Sequence, residues 1–126
     1  MFKFSKRSLE KLNTVDPRLQ LLANEVLKIS PFDFAITCGY RTQQEQMQMY
    51  VKKLSKCDGI EKKSKHQEGK AIDIMVYDEQ GIGTWEEKYY YQMAGIFKSV
   101  ANRLNIRIRC GVDFKGFFDG PHIELI

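Results

Sequence analysis

The chain has two histidines, and each stands at short spacing from acids. Asp73 follows His66 by seven residues, and His122 lies in Asp119-Gly120-Pro121-His122-Ile123-Glu124-Leu125. Residues 71–76 alternate like a strand, with Ala71, Asp73 and Met75 on one face and Ile72, Ile74 and Val76 on the other. A carboxylate on a half-buried strand is costly unless it is paired, so Asp73 needs a partner. His66, Asp73 and His122 together supply two imidazoles and one carboxylate, a ligand set of catalytic zinc sites with a fourth position open to water. The competing reading makes both histidines ordinary polar residues and gives Asp73 a nearby lysine or arginine. Composition alone does not choose between the two.

The elements that must position these residues follow from periodicity and capping signals. A short helix is expected near residues 8–13. Asp16-Pro17 reads as an N-cap followed by a first-turn proline, and Leu19, Leu22, Ala23, Val26 and Ile29 make residues 17–29 an amphipathic helix. Residues 32–38 alternate as a strand that ends in the turn Gly39-Tyr40-Arg41. Thr42 with Glu45 forms a capping-box pattern, and Met47, Tyr50, Val51 and Leu54 would be the apolar face of the helix it opens. A lysine-rich loop spans 55–65, and the strand with Asp73 follows. Thr84 with Glu87 suggests a second capping box before the longest helix, which carries Met93, Ile96, Phe97, Val100, Ala101 and Leu104. Residues 105–110 read as a strand, 111–120 as a glycine-punctuated loop and 121–126 as a final strand. The expectation is one α+β domain over residues 1–126, a small mainly antiparallel sheet packed by about three helices.

The totals narrow the function classes. With 126 residues and 43% hydrophobic content there is chain for a single core. A net charge of +4 is less basic than expected of a nucleic-acid binder and is compatible with an anionic surface such as a cell wall or phospholipid. No stretch approaches the roughly 18 apolar residues of a membrane span, so no stable membrane association is expected. Residues 1–7 lack the apolar core of a signal peptide, which implies synthesis and folding in the cytoplasm. Cys38, Cys57 and Cys110 are odd in number and form no C-x-x-C pair, so thiols are expected, with Cys38 and Cys110 as small buried hydrophobes on strands. Lys52, Lys53, Lys56, Lys62, Lys63, Lys65 and Lys70 read as a solvated basic face.

Four blocks, in order, carry a resemblance to a known family. Ser64-x-His66-x-x-Gly69-x-Ala71-x-Asp73 resembles the S-x-H-x-x-G-x-A-x-D signature of the D-Ala-D-Ala carboxypeptidase family of zinc peptidases. That family includes vancomycin-resistance dipeptidases and carboxypeptidases, and the L-alanyl-D-glutamate endopeptidases that bacteriophages use as endolysins. Gly39-Tyr40-Arg41-Thr42 with Gln46 and Tyr50 is similar to its G-Y-R-[ST]-x(3)-Q-x(3)-Y pattern. Gly111-Val112-Asp113-Phe114 is similar to the endolysins' G-G-D-W, with Val112 and Phe114 departing from it, and Asp119 to Glu124 to their D-x-P-H-F-E.

The resemblance implies a hedgehog/DD-peptidase-like fold and a Zn²⁺ ion held by His66, Asp73 and His122. It also implies Asp119 as the catalytic base, Arg41 as the group that stabilises the oxyanion, and Ser64 and Gln46 as substrate contacts. In the carboxypeptidases the base position is Glu, so Asp119 resembles the endolysin branch. Glu124 shares a strand face with His122 and rivals Asp119 as base, although a carboxylate there suits orienting an imidazole. The implied activity is an endolysin that cuts the L-Ala–D-Glu bond of peptidoglycan stem peptides with a zinc-activated water. It would act as a monomer, without nucleic acid, stored in the host bacterial cytoplasm and reaching the wall after holin-type release. The alternatives are a D-Ala-D-Ala carboxypeptidase or dipeptidase, and a non-catalytic zinc-stabilised interaction domain.

Overall fold

The computed structural model describes residues 2–126. Among them are four α-helices, α1 (Lys6–Leu12), α2 (Pro17–Ile29), α3 (Gln43–Val51) and α4 (Glu87–Arg103). Five strands accompany them: β1 (Phe34–Cys38), β2 (Ala71–Tyr77), β3 (Gly83–Thr84), β4 (Ile108–Cys110) and β5 (His122–Leu125). Local signals act where periodicity places them. Asp16 accepts from Arg18 N with Pro17 in the first turn of α2, and Thr42 and Glu45 close a reciprocal capping box on α3.

The sheet runs β1-β2-β5-β4, with β3 also paired to β2, and every pairing is antiparallel. The last strand in the chain is therefore inserted between β2 and β4. Ile72, Ile74 and Val76 turn from β2 into a core shared with Leu19, Leu22 and Val26 of α2 and Met93, Phe97 and Val100 of α4. Ile123 and Leu125 of β5 join them. By strand alternation, Asp73 on β2 and His122 and Glu124 on β5 point to the opposite face. The α+β architecture thus matches expectation, with four helices rather than about three.

Several local expectations are corrected. The helix α3 ends at Val51, short of Leu54, and does not bury its apolar residues: Met47, Tyr50 and Val51 are exposed, as is Leu54 beyond it, and Gln46 is the buried residue of the helix. The cause is polar: Gln46 is drawn inward by hydrogen-bond partners described below, and the apolar side is left in solvent. Thr84 does not cap α4, because it is taken up in β3 opposite Val76; Glu86 is the N-cap and makes no side-chain cap bond. The strand expected over 105–110 shortens to β4. Asn105 adopts φ 59° and Ile106 N bonds back to Ala101 O, so the end of α4 consumes those residues. Likewise the Ser30 hydroxyl bonds both to Phe32 O and from Phe32 N, a turn that delays β1 to Phe34. Among the described residues no helix is long and apolar enough to cross a membrane.

Candidate metal centre and active site

The β2–β5 register sets Asp73 directly opposite His122. On that face His122 Nδ1 lies 3.4 Å from Asp73 Oδ1. His66 Nε2 approaches the same oxygen to 3.2 Å, and the two imidazole centroids are 5.0 Å apart. His66 arrives from a short 3-10 helix, Lys65–Glu68, whose N-cap Ser64 accepts from His66 N through its hydroxyl while Ser64 N donates to Gln67 Oε1. Arg41 N donates to His66 O, tying that turn to the segment after β1.

Each ring is also held from behind. His66 Nδ1 lies 2.9 Å from Gly39 O, and His122 Nε2 lies 2.8 Å from Glu124 Oε1. A carbonyl and a carboxylate can only accept, so those outer nitrogens carry protons in either charge state; without metal the inner nitrogens are protonated as well and donate to Asp73, and loss of that inner proton leaves a lone pair aimed at the position of an ion. Outer partners of this kind orient metal-binding imidazoles and fix their tautomer. Gly39 is required for this arrangement, because a Cβ there would run into the Lys11 carbonyl and the Thr14 hydroxyl. The donor set and its orientation fit a divalent cation.

Cys38 enlarges the donor cluster. Cys38, His66 and Asp73 form a group whose donor atoms all lie within 4.8 Å of one another and could hold a metal ion. The Cys38 sulfur faces His66 Nδ1 at 3.8 Å, the nitrogen already bonded to Gly39. Burial works against the Cys38 thiolate, but the His66 bond and the Arg41 guanidinium hold its thiol below the usual range. Cys110 is wholly buried, as expected for a small hydrophobe, whereas Cys38 is half-buried and polar in its contacts. Nothing in the sequence signalled Cys38 as part of this cluster; only its pairing opposite Asp73 across β1 and β2 brings it there.

Arg41 is buried. Its Nη1 donates to Gln46 Oε1 at 2.6 Å, and its Nη2 reaches Cys38 Sγ at 3.3 Å and Asp73 Oδ2 at 3.4 Å. Gln46 spends its amide nitrogen on Ser55 Oγ and Cys57 O. The expectation that Gln46 touches substrate therefore meets a residue with no exposed surface and both ends of its amide engaged; it braces Arg41 and the 55–57 loop instead. Ser64 lines the cavity, although its hydroxyl is occupied as a cap. Asp113 pairs with Lys98 on α4 at 2.5 Å, bracing the loop after β4.

Asp119 stands at the edge of this cluster, with Oδ2 3.8 Å from His122 Nδ1. Its backbone is packed against Gly111 so closely that a Cβ on Gly111 would overlap the Asp119 carbonyl, and Asp119 N donates to Gly111 O. Burial, reinforced by the nearby Asp73 charge, raises the Asp119 carboxyl above its ordinary value. Arg41, Ser64, His66, Asp73, Asp119, His122 and Glu124 open on a cavity of about 900 Å³.

The charge balance makes a pH prediction. Burial opposes both imidazolium ions, but bonding to Asp73 outweighs it and lifts His66 to about 10 and His122 to about 9. Burial likewise opposes the Asp73 carboxylate, and the two histidines overcome it and hold Asp73 well below the carboxylate range. With folded histidine values above the unfolded 6.5, their stabilisation is complete below that pH and fades as pH rises through 9 and 10. That of Asp73 is present above 3.8 and fades on acidification. Metal-free protein is therefore expected to melt at a lower temperature at about pH 9.5 than at about pH 6. A divalent ion competes with those protons, so the rise in Tm that it causes should grow over the same interval. Differential scanning calorimetry with and without chelator checks both trends.

A family model described as phage L-alanyl-D-glutamate peptidase matches residues 1–126. The chain is 33% identical over 136 residues to the L-alanyl-D-glutamate peptidase of Escherichia phage T5, covering 99% of this chain and 98% of that protein. The structure is similar to that of the Serratia marcescens L-Ala D-Glu endopeptidase ChiX, with a TM-score of 0.87 and 30% identity over 99% of this chain and 90% of that one.

Proposed function

The chain belongs to the phage L-alanyl-D-glutamate peptidase family, and from that premise we propose that it hydrolyses the L-Ala–D-Glu bond of peptidoglycan stem peptides as a zinc enzyme. The observation that carries this reading is the approach of His66 Nε2 and His122 Nδ1 to one oxygen of Asp73, inside the cavity that also holds Asp119.

His66, Asp73 and His122 hold the ion in this reading. Cys38 is left outside, because it faces the outer nitrogen of His66 while the inner one points to Asp73. When bound, zinc polarises the scissile carbonyl and lowers the pKa of water toward about 7. Asp119 accepts the proton of the attacking water and delivers it to the amine of D-Glu as the C–N bond breaks. A carboxyl raised by burial is better matched to that two-way transfer than one at its ordinary value. Arg41, rigid between Gln46, Cys38 and Asp73, offers fixed positive charge to the oxyanion, and such a donor costs no reorganisation as charge develops. Ser64 lines the substrate cavity beside His66.

The assignment of ligands separates two substitutions. Cys38→Ser is expected to keep one zinc per chain, whereas His122→Ala should lose it under the same dialysis, as read by elemental analysis. Retention by His122→Ala with loss by Cys38→Ser would move the third ligand to the thiol. The reaction is tested by mass spectrometry of purified peptidoglycan after digestion. New amino-terminal D-Glu is the expected product. Released D-Ala would point to carboxypeptidase chemistry, and intact stems with zinc bound would reduce the protein to an interaction module.

A further inference from the structure

The basic run of the sequence is largely solvent-exposed, as expected, yet part of it also lines a cavity. Lys56, Lys62, Lys63 and Lys65 line the same cavity as His66 and His122, and Arg109 and Lys115 join them there. The acids of that cavity are Asp73, Asp119 and Glu124, and two of these are already matched. Asp73 is met by Arg41 and both histidines, and Glu124 by His122. Lys56 is spent on structure, donating to Gly116 O and lying over the Phe117 ring. Among the described residues Lys62, Lys63 and Lys115 make no ion pair, so their charge is free to act on what enters the cavity.

The loop presenting Lys62 and Lys63 is fastened rather than loose. Asp58 Oδ1 accepts from the backbone N–H groups of Ile60, Glu61 and Lys62. Gln46 holds Ser55 and Cys57, and Gln67 Nε2 donates to Gly59 O. Lysines on a pinned loop lose less freedom on binding an anion than lysines on a free one, and several like charges on a concave wall reinforce one another's field.

The scissile bond places a glutamate on one side. Glutamate has two carboxyl groups, and whichever of them carries the peptide onward, the other is a free anion unless it is amidated. We propose that Lys62, Lys63 and Lys115 form a carboxylate-reading wall that binds the free carboxylate of this glutamate and so discriminates against stem peptides in which it is amidated. The proposal rests on the L-Ala–D-Glu reading above. An amide of the same shape removes the charge that the wall attracts and replaces one acceptor oxygen with an NH2 donor, which the lysine ammonium groups cannot bond.

The test uses two synthetic stem peptides that differ only in D-glutamate against D-isoglutamine at the second residue. They are given to the zinc-loaded enzyme and to its Lys62→Gln/Lys63→Gln/Lys115→Gln variant. For the unaltered enzyme, kcat/KM on the amidated peptide should be lower by roughly tenfold or more, the scale of one charge-assisted hydrogen bond. The variant should lose rate chiefly on the free-acid peptide and bring the ratio near one, and added salt should narrow the gap for the unaltered enzyme. Equal rates on both peptides, or a gap that survives in the variant, would overturn the proposal. Failure to cut either peptide would instead overturn the L-Ala–D-Glu reading, and this proposal with it.

Discussion

Asp119→Ala is expected to take up zinc as the unaltered protein does and to lose turnover by roughly 10²- to 10⁴-fold, the usual contribution of a positioned general acid–base. The two outcomes separate because Asp119 touches the cluster only at its margin, 3.8 Å from His122 Nδ1. Its carboxylate is not among the groups that hold the imidazoles, since His66 is fixed by Gly39 and Asp73, and His122 by Glu124 and Asp73. The backbone at 119 is set by Gly111 and does not need the side chain. Elemental analysis and a stem-peptide cleavage assay on one preparation measure both quantities. Full activity in this variant would transfer the proton-handling role elsewhere, and Glu124 is the poorer candidate, being engaged by His122 Nε2 at 2.8 Å.

Asp73→Asn should damage three properties together: stability, metal uptake and turnover. One carboxylate faces His66, His122 and the buried Arg41. Removing one member of a buried ion pair leaves the other charge uncompensated, a loss of about 3–5 kcal/mol. Here Arg41 would be left with only Gln46 and the Cys38 sulfur as partners. Asparagine also removes the anionic oxygen that the proposed site offers to zinc, so metal uptake is expected to weaken sharply. Denaturant titration of the metal-free protein isolates the first effect. Adding Arg41→Met to Asp73→Asn should recover part of that stability while restoring neither zinc nor activity. A double variant as unstable as Asp73→Asn alone would show that the Arg41 charge is not the source of the loss.

Much of the fold was legible because its signals are local. The Asp16-Pro17 start of α2, the Thr42–Glu45 box and the alternation of β2 each depend on residues within a few positions of one another. Where two local signals competed, tertiary pairing decided. Thr84 could cap a helix or enter a strand, and it is paired with Val76. The face of α3 was misread for a related reason. Its apolar residues promised burial, but Gln46 bonds Arg41, Ser55 and Cys57 at once, and leaving such buried polar groups without a partner is expensive.

By itself the sequence determined the inventory of this site: two histidines, an acid on an alternating strand, Asp119 three residues before His122, and the order of four family-like blocks. Tertiary structure decided what those residues meet. The insertion of β5 beside β2 puts His122 across from Asp73, Cys38 becomes a neighbour of Arg41, and part of a lysine run becomes the wall of a cavity. The physical reason is range. Capping and periodicity are settled within a turn or a strand, whereas burying a charge or aiming an imidazole requires partners from distant segments, and their arrival depends on how the whole sheet pairs.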